Sequence, residues 1–71
     1  MEDMRLGIED VEAITDQKVL ELIASGEAWA NIRMAAVEKI IDLDALERIS
    51  VSDTSMPVRR AAERRLEVLR G

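Results

Sequence analysis

Residues 15–40 (TDQKVLELIASGEAWANIRMAAVEKI) align without a gap on residues 41–66 (IDLDALERISVSDTSMPVRRAAERRL). Seven of the 26 aligned pairs are identical: Asp16/Asp42, Leu20/Leu46, Glu21/Glu47, Ile23/Ile49, Arg33/Arg59, Ala35/Ala61 and Ala36/Ala62. A fixed period of roughly 20–50 residues marks stacked supersecondary units, each too small to bury its apolar face alone. Such a chain must complete each unit's core with its neighbour, which rules out most folds at this length. What it offers a partner is a surface.

Each repeat reads as two helices. In the first, Val19, Leu20, Ile23 and Ala24 recur at helical spacing, and Gly26 is the natural stop. Asp16 and Asp42 stand just before the two apolar runs and are the expected N-caps, where a carboxylate accepts unpaired first-turn N–H groups. The second helix begins near residues 28–31 and carries Ile32, Ala35, Ala36 and Ile40. Its counterpart begins near Pro57, which suits a first helical turn because its missing N–H would find no partner there. Stepping back one period places VEAITDQ (residues 11–17) on VEKIIDL (residues 37–43). Residues 3–14 are therefore expected as a lone second-type helix, with Gly7 where the repeats have Arg33 and Arg59. The expected architecture is all-α, about five short antiparallel helices. It divides into a half repeat (1–14), two repeats (15–40 and 41–66) and a short tail (67–71).

Composition narrows the chemistry. The chain has neither cysteine nor histidine, so thiolate zinc sites, disulfides and the commonest general base are absent. No Gly-rich phosphate loop or nucleophile motif occurs, and carboxylate pairs such as Asp42/Asp44 and Glu63/Glu67 read as helix-start or solvated residues. The expectation is a non-enzyme with no cofactor and no metal. The first ten residues are acidic without an apolar run, and no stretch has the length of a membrane span, so a cytoplasmic protein without a membrane partner is expected. Net charge is −5, unevenly placed: residues 1–14 hold five acids against Arg5, while residues 55–71 hold five arginines against Glu63 and Glu67. Such asymmetry favours weak, salt-sensitive self-association of a mostly monomeric chain.

The arrangement of an acid six residues before an arginine, followed by IR-x-AAV-x-K-I or VR-x-AA-x-R-x-L, resembles short HEAT-like repeats. Asp53 and Arg59, with Pro57 and Val58 between them, carry the likeness most fully, and Glu27 and Arg33 are the looser copy. The resemblance spans roughly residues 8–66 and implies an armadillo-like α-solenoid fragment. It also implies that Glu27, Arg33, Asp53 and Arg59 form an ion-pair ladder between successive repeats. A leucine-rich-repeat variant is the more distant likeness, since its cysteine cluster has no counterpart here. HEAT-like hydroxylases depend on His–Glu pairs, so the resemblance implies no such activity in a chain without histidine.

Candidate functional residues follow from the second helices. Aligned, they place Ile8, Val11, Met34, Val37 and Ile41 in one apolar zone beside Glu38, Arg60 and Arg64. In HEAT-like proteins this face is the concave, partner-binding one, so the leading reading is a protein-binding scaffold using Met34, Val37, Glu38, Arg60 and Arg64. The competing reading is that Val11 and Val37 simply wedge between adjacent helices, with Met34 the member most expected at the surface. Trp29 is either a binding hot spot or a shield over the repeat junction. Arg33 and Arg59 read as structural rather than anion-binding, and Lys39 and Arg65 as stems running past a neighbour. The arginine cluster Arg59, Arg60, Arg64 and Arg65 admits an accessory nucleic-acid role. Interleaved Glu63 and Glu67 and the want of stacking aromatics count against it. Head-to-tail assembly of a structural repeat is the third possibility.

Overall fold

A computed structural model of the chain describes residues 7–71. Over these residues it contains five helices, α1 (Ile8–Ala13), α2 (Gln17–Ser25), α3 (Ala30–Val37), α4 (Leu43–Ser52) and α5 (Met56–Arg70), and no strand. The part of the expected first helix at residues 3–6 lies outside the described residues.

The repeat is visible in the local chemistry. Asp16 accepts the N–H groups of Lys18 and Val19 at 2.9 and 3.4 Å, and Asp42 those of Asp44 and Ala45 at 2.9 and 3.3 Å. Two copies of one cap thus start α2 and α4 in one way. Gly26 ends α2 where the chain passes close over its own last turn: a Cβ there would lie 2.8 Å from the Leu22 carbonyl oxygen. Pro57 sits in the first turn of α5. This helix runs unbroken to Arg70, so residues 67–70 continue the helix of the second repeat.

Three second-type helices pack in a row, α1 against α3 and α3 against α5, while α2 and α4 back onto α3 and α5 respectively. The core between the layers is built from equivalent positions: Leu20 and Leu46, Ile32 and Val58, Ala36 and Ala62, Ile40 and Leu66 are all buried. Alanine at Ala36, Ala61 and Ala62 lets the helices approach closely. No charged residue is buried among the described residues, so the core is held by apolar contact and its polar links lie at the rim. Contact between α2 and α4 is sparse, leaving a groove between them lined by Leu22, Ile49, Lys18 and Arg48 among others.

Candidate functional site

The second-helix row positions the candidate residues, and helical register sorts them. On α3, Ile32 and Ala36 point into the core, and one side faces the next helix in the row. Arg33 lies on that side. Its Nε donates to Asp53 Oδ2 and its Nη2 to Asp53 Oδ1, both at 3.0 Å, and its Nη1 donates to the Ala28 carbonyl. The pair is nearly enclosed, with side-chain exposure of 14% for Arg33 and 9% for Asp53. Asp53 Oδ1 also accepts the Ser55 N–H at 2.8 Å, and the Asp53 carbonyl accepts Arg59 Nη1 at 2.7 Å. Partial burial pushes the Asp53 carboxyl up. The hydrogen bonds from Arg33 and Ser55 and the charges of Arg33 and Arg59 outweigh it and hold the group below the usual carboxylate range.

Arginine 33, Asp53 and Arg59 therefore meet at one joint between the repeats, and Glu27 stays outside it. The linking arginine comes from the repeat preceding the acid: Arg33 serves Asp53. One period earlier that place is Gly7, which has no side chain to offer, and Glu27 is exposed without an ion-pair partner among the described residues.

Val37 is a correction to the exposed apolar stripe. It has no solvent exposure at all, as has Val11, whereas the equivalent Glu63 on α5 is exposed. It lies one turn beyond Arg33 on the side facing α5, so the joint seals it. Met34 is half-buried and packs against the core. Glu38, Arg60 and Arg64 are exposed, with Met34 and Arg60, and Glu38 and Arg64, at equivalent positions on the neighbouring helices α3 and α5. Trp29 is the N-cap residue of α3 and is 64% exposed, on the edge where the helix turns lie rather than on the outer face of the row.

Three links escaped the sequence reading. Lys39 Nζ donates to the carbonyls of Val11 at 3.0 Å, Glu12 at 2.7 Å and Ile14, gathering the C-terminal end of α1. One period on, Arg65 Nε donates to the Ile40 carbonyl at 2.9 Å. Ile14 and Ile40 are equivalent positions, so a cation from the turn just after α3 and one from α5 each reach back to the chain leaving the preceding second-type helix. Cations there complement the helix dipole. Gln17 bridges the same region, donating to the Lys39 carbonyl at 2.9 Å and accepting the Ile41 N–H at 3.0 Å.

With Arg59 and Arg65 committed to carbonyls, the basic surface of α5 narrows to Arg60, Arg64 and Arg70, and Arg70 pairs with Glu47 on α4. No group of three acidic residues is placed to hold a metal among the described residues, and no helix there is long and apolar enough to cross a membrane. No protein-family model matches the chain, and neither does any curated protein or solved structure.

Proposed function

We propose that the chain is a HEAT-like helical-repeat scaffold of the α-solenoid kind, a non-enzymatic protein that binds another protein through the outer face of its second helices. The observation that carries the reading is that inter-helix links recur at the sequence period, Lys39 onto Ile14 and Arg65 onto Ile40. Units joined by one repeated link stack in a row and offer the solvent-facing side of that row to partners. On that row the half-buried Met34 is flanked by Glu38, Arg60 and Arg64. A polarizable, adaptable side chain ringed by mixed charge suits a protein partner. Arg60 and Arg64 alternate with Glu63 and Glu67 along α5, which weakens the nucleic-acid reading.

The test is affinity capture from the native host with the parent chain and with Met34→Glu and Arg64→Glu. A specific protein retained by the parent, lost by both variants and insensitive to nuclease supports the reading, provided both variants melt like the parent. Capture unaffected by either change removes this face from the reading, and nuclease-sensitive capture replaces the protein partner with nucleic acid.

A further inference from the structure

The two rows of helices meet their neighbours differently. The second-type helices close their seam around the buried Val37, whereas α2 and α4 touch little and leave an open groove. On the α2 wall stand Lys18, Glu21, Leu22 and Ser25, the i, i+3, i+4, i+7 stripe of one helix side. The α4 wall repeats that spacing with Ala45, Arg48, Ile49 and Ser52. Two such stripes facing one space over two turns, roughly 10 Å, are what a third helix packs against. The middle of the groove is apolar: Ala45 and Ile49 are buried at its floor, and Leu22 beside them is 71% exposed. Ser25 and Ser52 turn their hydroxyls back onto the carbonyls of Glu21 and Arg48, at 2.8 and 2.6 Å, and are small enough to admit another backbone.

Charge defines the occupant. Lys18 stands on one rim and Arg48 on the other, both exposed, and neither side chain has a hydrogen bond or ion pair among the described residues. Glu21 lies on the wall opposite Arg48, yet no ion pair crosses the groove among the described residues. The chain carries a net charge of −5, so an acidic partner is drawn by these local cations and not by the overall field. We propose that the α2–α4 groove seats an amphipathic helix of a partner protein, whose apolar stripe covers Leu22 and Ile49 and is flanked on both sides by acidic residues. On the α2 side, a base one turn from the acid answers Glu21. The seat takes no residue from the outer face around Met34 and stands whether or not that face binds protein.

Two synthetic peptides, stapled to equal helicity, serve as probes. Both carry leucines at i, i+3, i+4 and i+7; in one the stripe is flanked by glutamates with a single lysine, and in the other the two charges are exchanged. Methyl signals of the 71-residue chain report on binding. Leu22 and Ile49 should respond to the acidic probe at a concentration about tenfold lower than to the basic one, the combined margin of two exposed ion pairs over two like-charge contacts. The Met34 methyl should be indifferent. With Lys18→Glu and Arg48→Glu together, both exposed and clear of the core, the preference should reverse. Equal response to the two probes overturns the acid-flanked occupant. Response at Met34 in place of Leu22 and Ile49 overturns the groove while leaving the outer-face reading intact. Leu22 and Ile49 signals that move on simple dilution of the chain assign the groove to a second copy and overturn the partner helix.

Discussion

The row of second helices contains two joints built to one plan, and they are not equally made. Between α3 and α5, Arg33 grips Asp53 with two donors, Val37 is sealed and Arg65 reaches back to Ile40. Between α1 and α3, Val11 is sealed and Lys39 reaches back to three carbonyls, but the arginine is missing because Gly7 stands in its place. The apolar wedge and the backward clasp are common to both, and only the ion-pair fork differs. The wedge and clasp therefore define the minimal joint, and the fork strengthens the one that must hold a whole repeat. The α1 joint holds six helical residues, too few to be helical alone.

The largest expected effect comes from charging the wedge. Val37→Glu would bury a carboxylate in the α3–α5 joint, at a cost on the order of 4 kcal/mol or more. For a chain this short that approaches the whole stability, and circular dichroism should show unfolding at ambient temperature. Val11→Glu should be milder, because α1 can leave its joint while both full repeats stay folded. Equal loss of helix in the two variants would break the comparison and show that α1 is as integral as α5.

Next in size is the fork. Arg33→Ala and Asp53→Ala should each lower the urea midpoint by the equivalent of about 1.5–3 kcal/mol, the range for hydrogen bonds to charged groups. The double variant should fall well short of the sum. Glu27→Ala should change stability by no more than roughly 0.5 kcal/mol, as for an ordinary surface site. A Glu27 effect as large as that of Asp53 would mean that the α1 side carries a fork of its own.

These joints also mark how far the sequence could be read. The period, the two aspartate caps, the first-turn proline and the helix count were legible because each is a side-chain pattern with a local cause. The pairing of Arg33 with the acid of the following repeat was legible only by resemblance. The clasps of Lys39 and Arg65 were not legible, since their acceptors are backbone carbonyls that leave no mark in the sequence. The register did place both stems on the inner side. Val37 was left open between the exposed stripe and a buried wedge, because a valine beside a half-exposed methionine has the same periodicity whether or not a neighbouring helix covers it, and its burial favours the wedge. Only the change to the exposed Glu63 at the equivalent position of α5 betrays the difference.

A smaller effect should appear with pH. The folded-state pKa of Asp53 is held below its ordinary value, so its contribution is fully present above about pH 4, the range where a free aspartate titrates. It is lost as pH falls through the lowered value. The difference in urea midpoint between the parent and Asp53→Asn should stay constant from about pH 7 to pH 5 and shrink below about pH 4. A difference that grows on acidification would mean that the carboxylate is held above its ordinary range, and that partial burial rather than Arg33 governs it.

The smallest expected effect is the attempt to write the missing fork back in. Gly7→Arg restores the side chain that the repeats carry one and two periods later. Gly7 has φ −97° and ψ 170°, extended backbone open to any residue, and an added Cβ would meet first the far end of the Glu9 side chain at 3.1 Å. The Gly7 N–H can keep its 2.8 Å bond to Asp10 Oδ2. Against this, glycine is a tolerable N-cap and arginine is not a favoured one, a loss of a few tenths of a kcal/mol or more. A largely exposed pair with Glu27 contributes only about 0.2–1 kcal/mol. The two effects nearly cancel, so net stability is the wrong readout. The coupling between Gly7→Arg and Glu27→Gln, taken from a four-member set of urea curves, isolates the pair itself. A favourable coupling of a few tenths of a kcal/mol, screened away by added salt, would show that the α1 joint follows the plan of its neighbour and lacks only the residue. Zero coupling at low salt would show that α1 is set at a different angle to its repeat, and that the two joints share the wedge and the clasp but not the geometry that a fork requires.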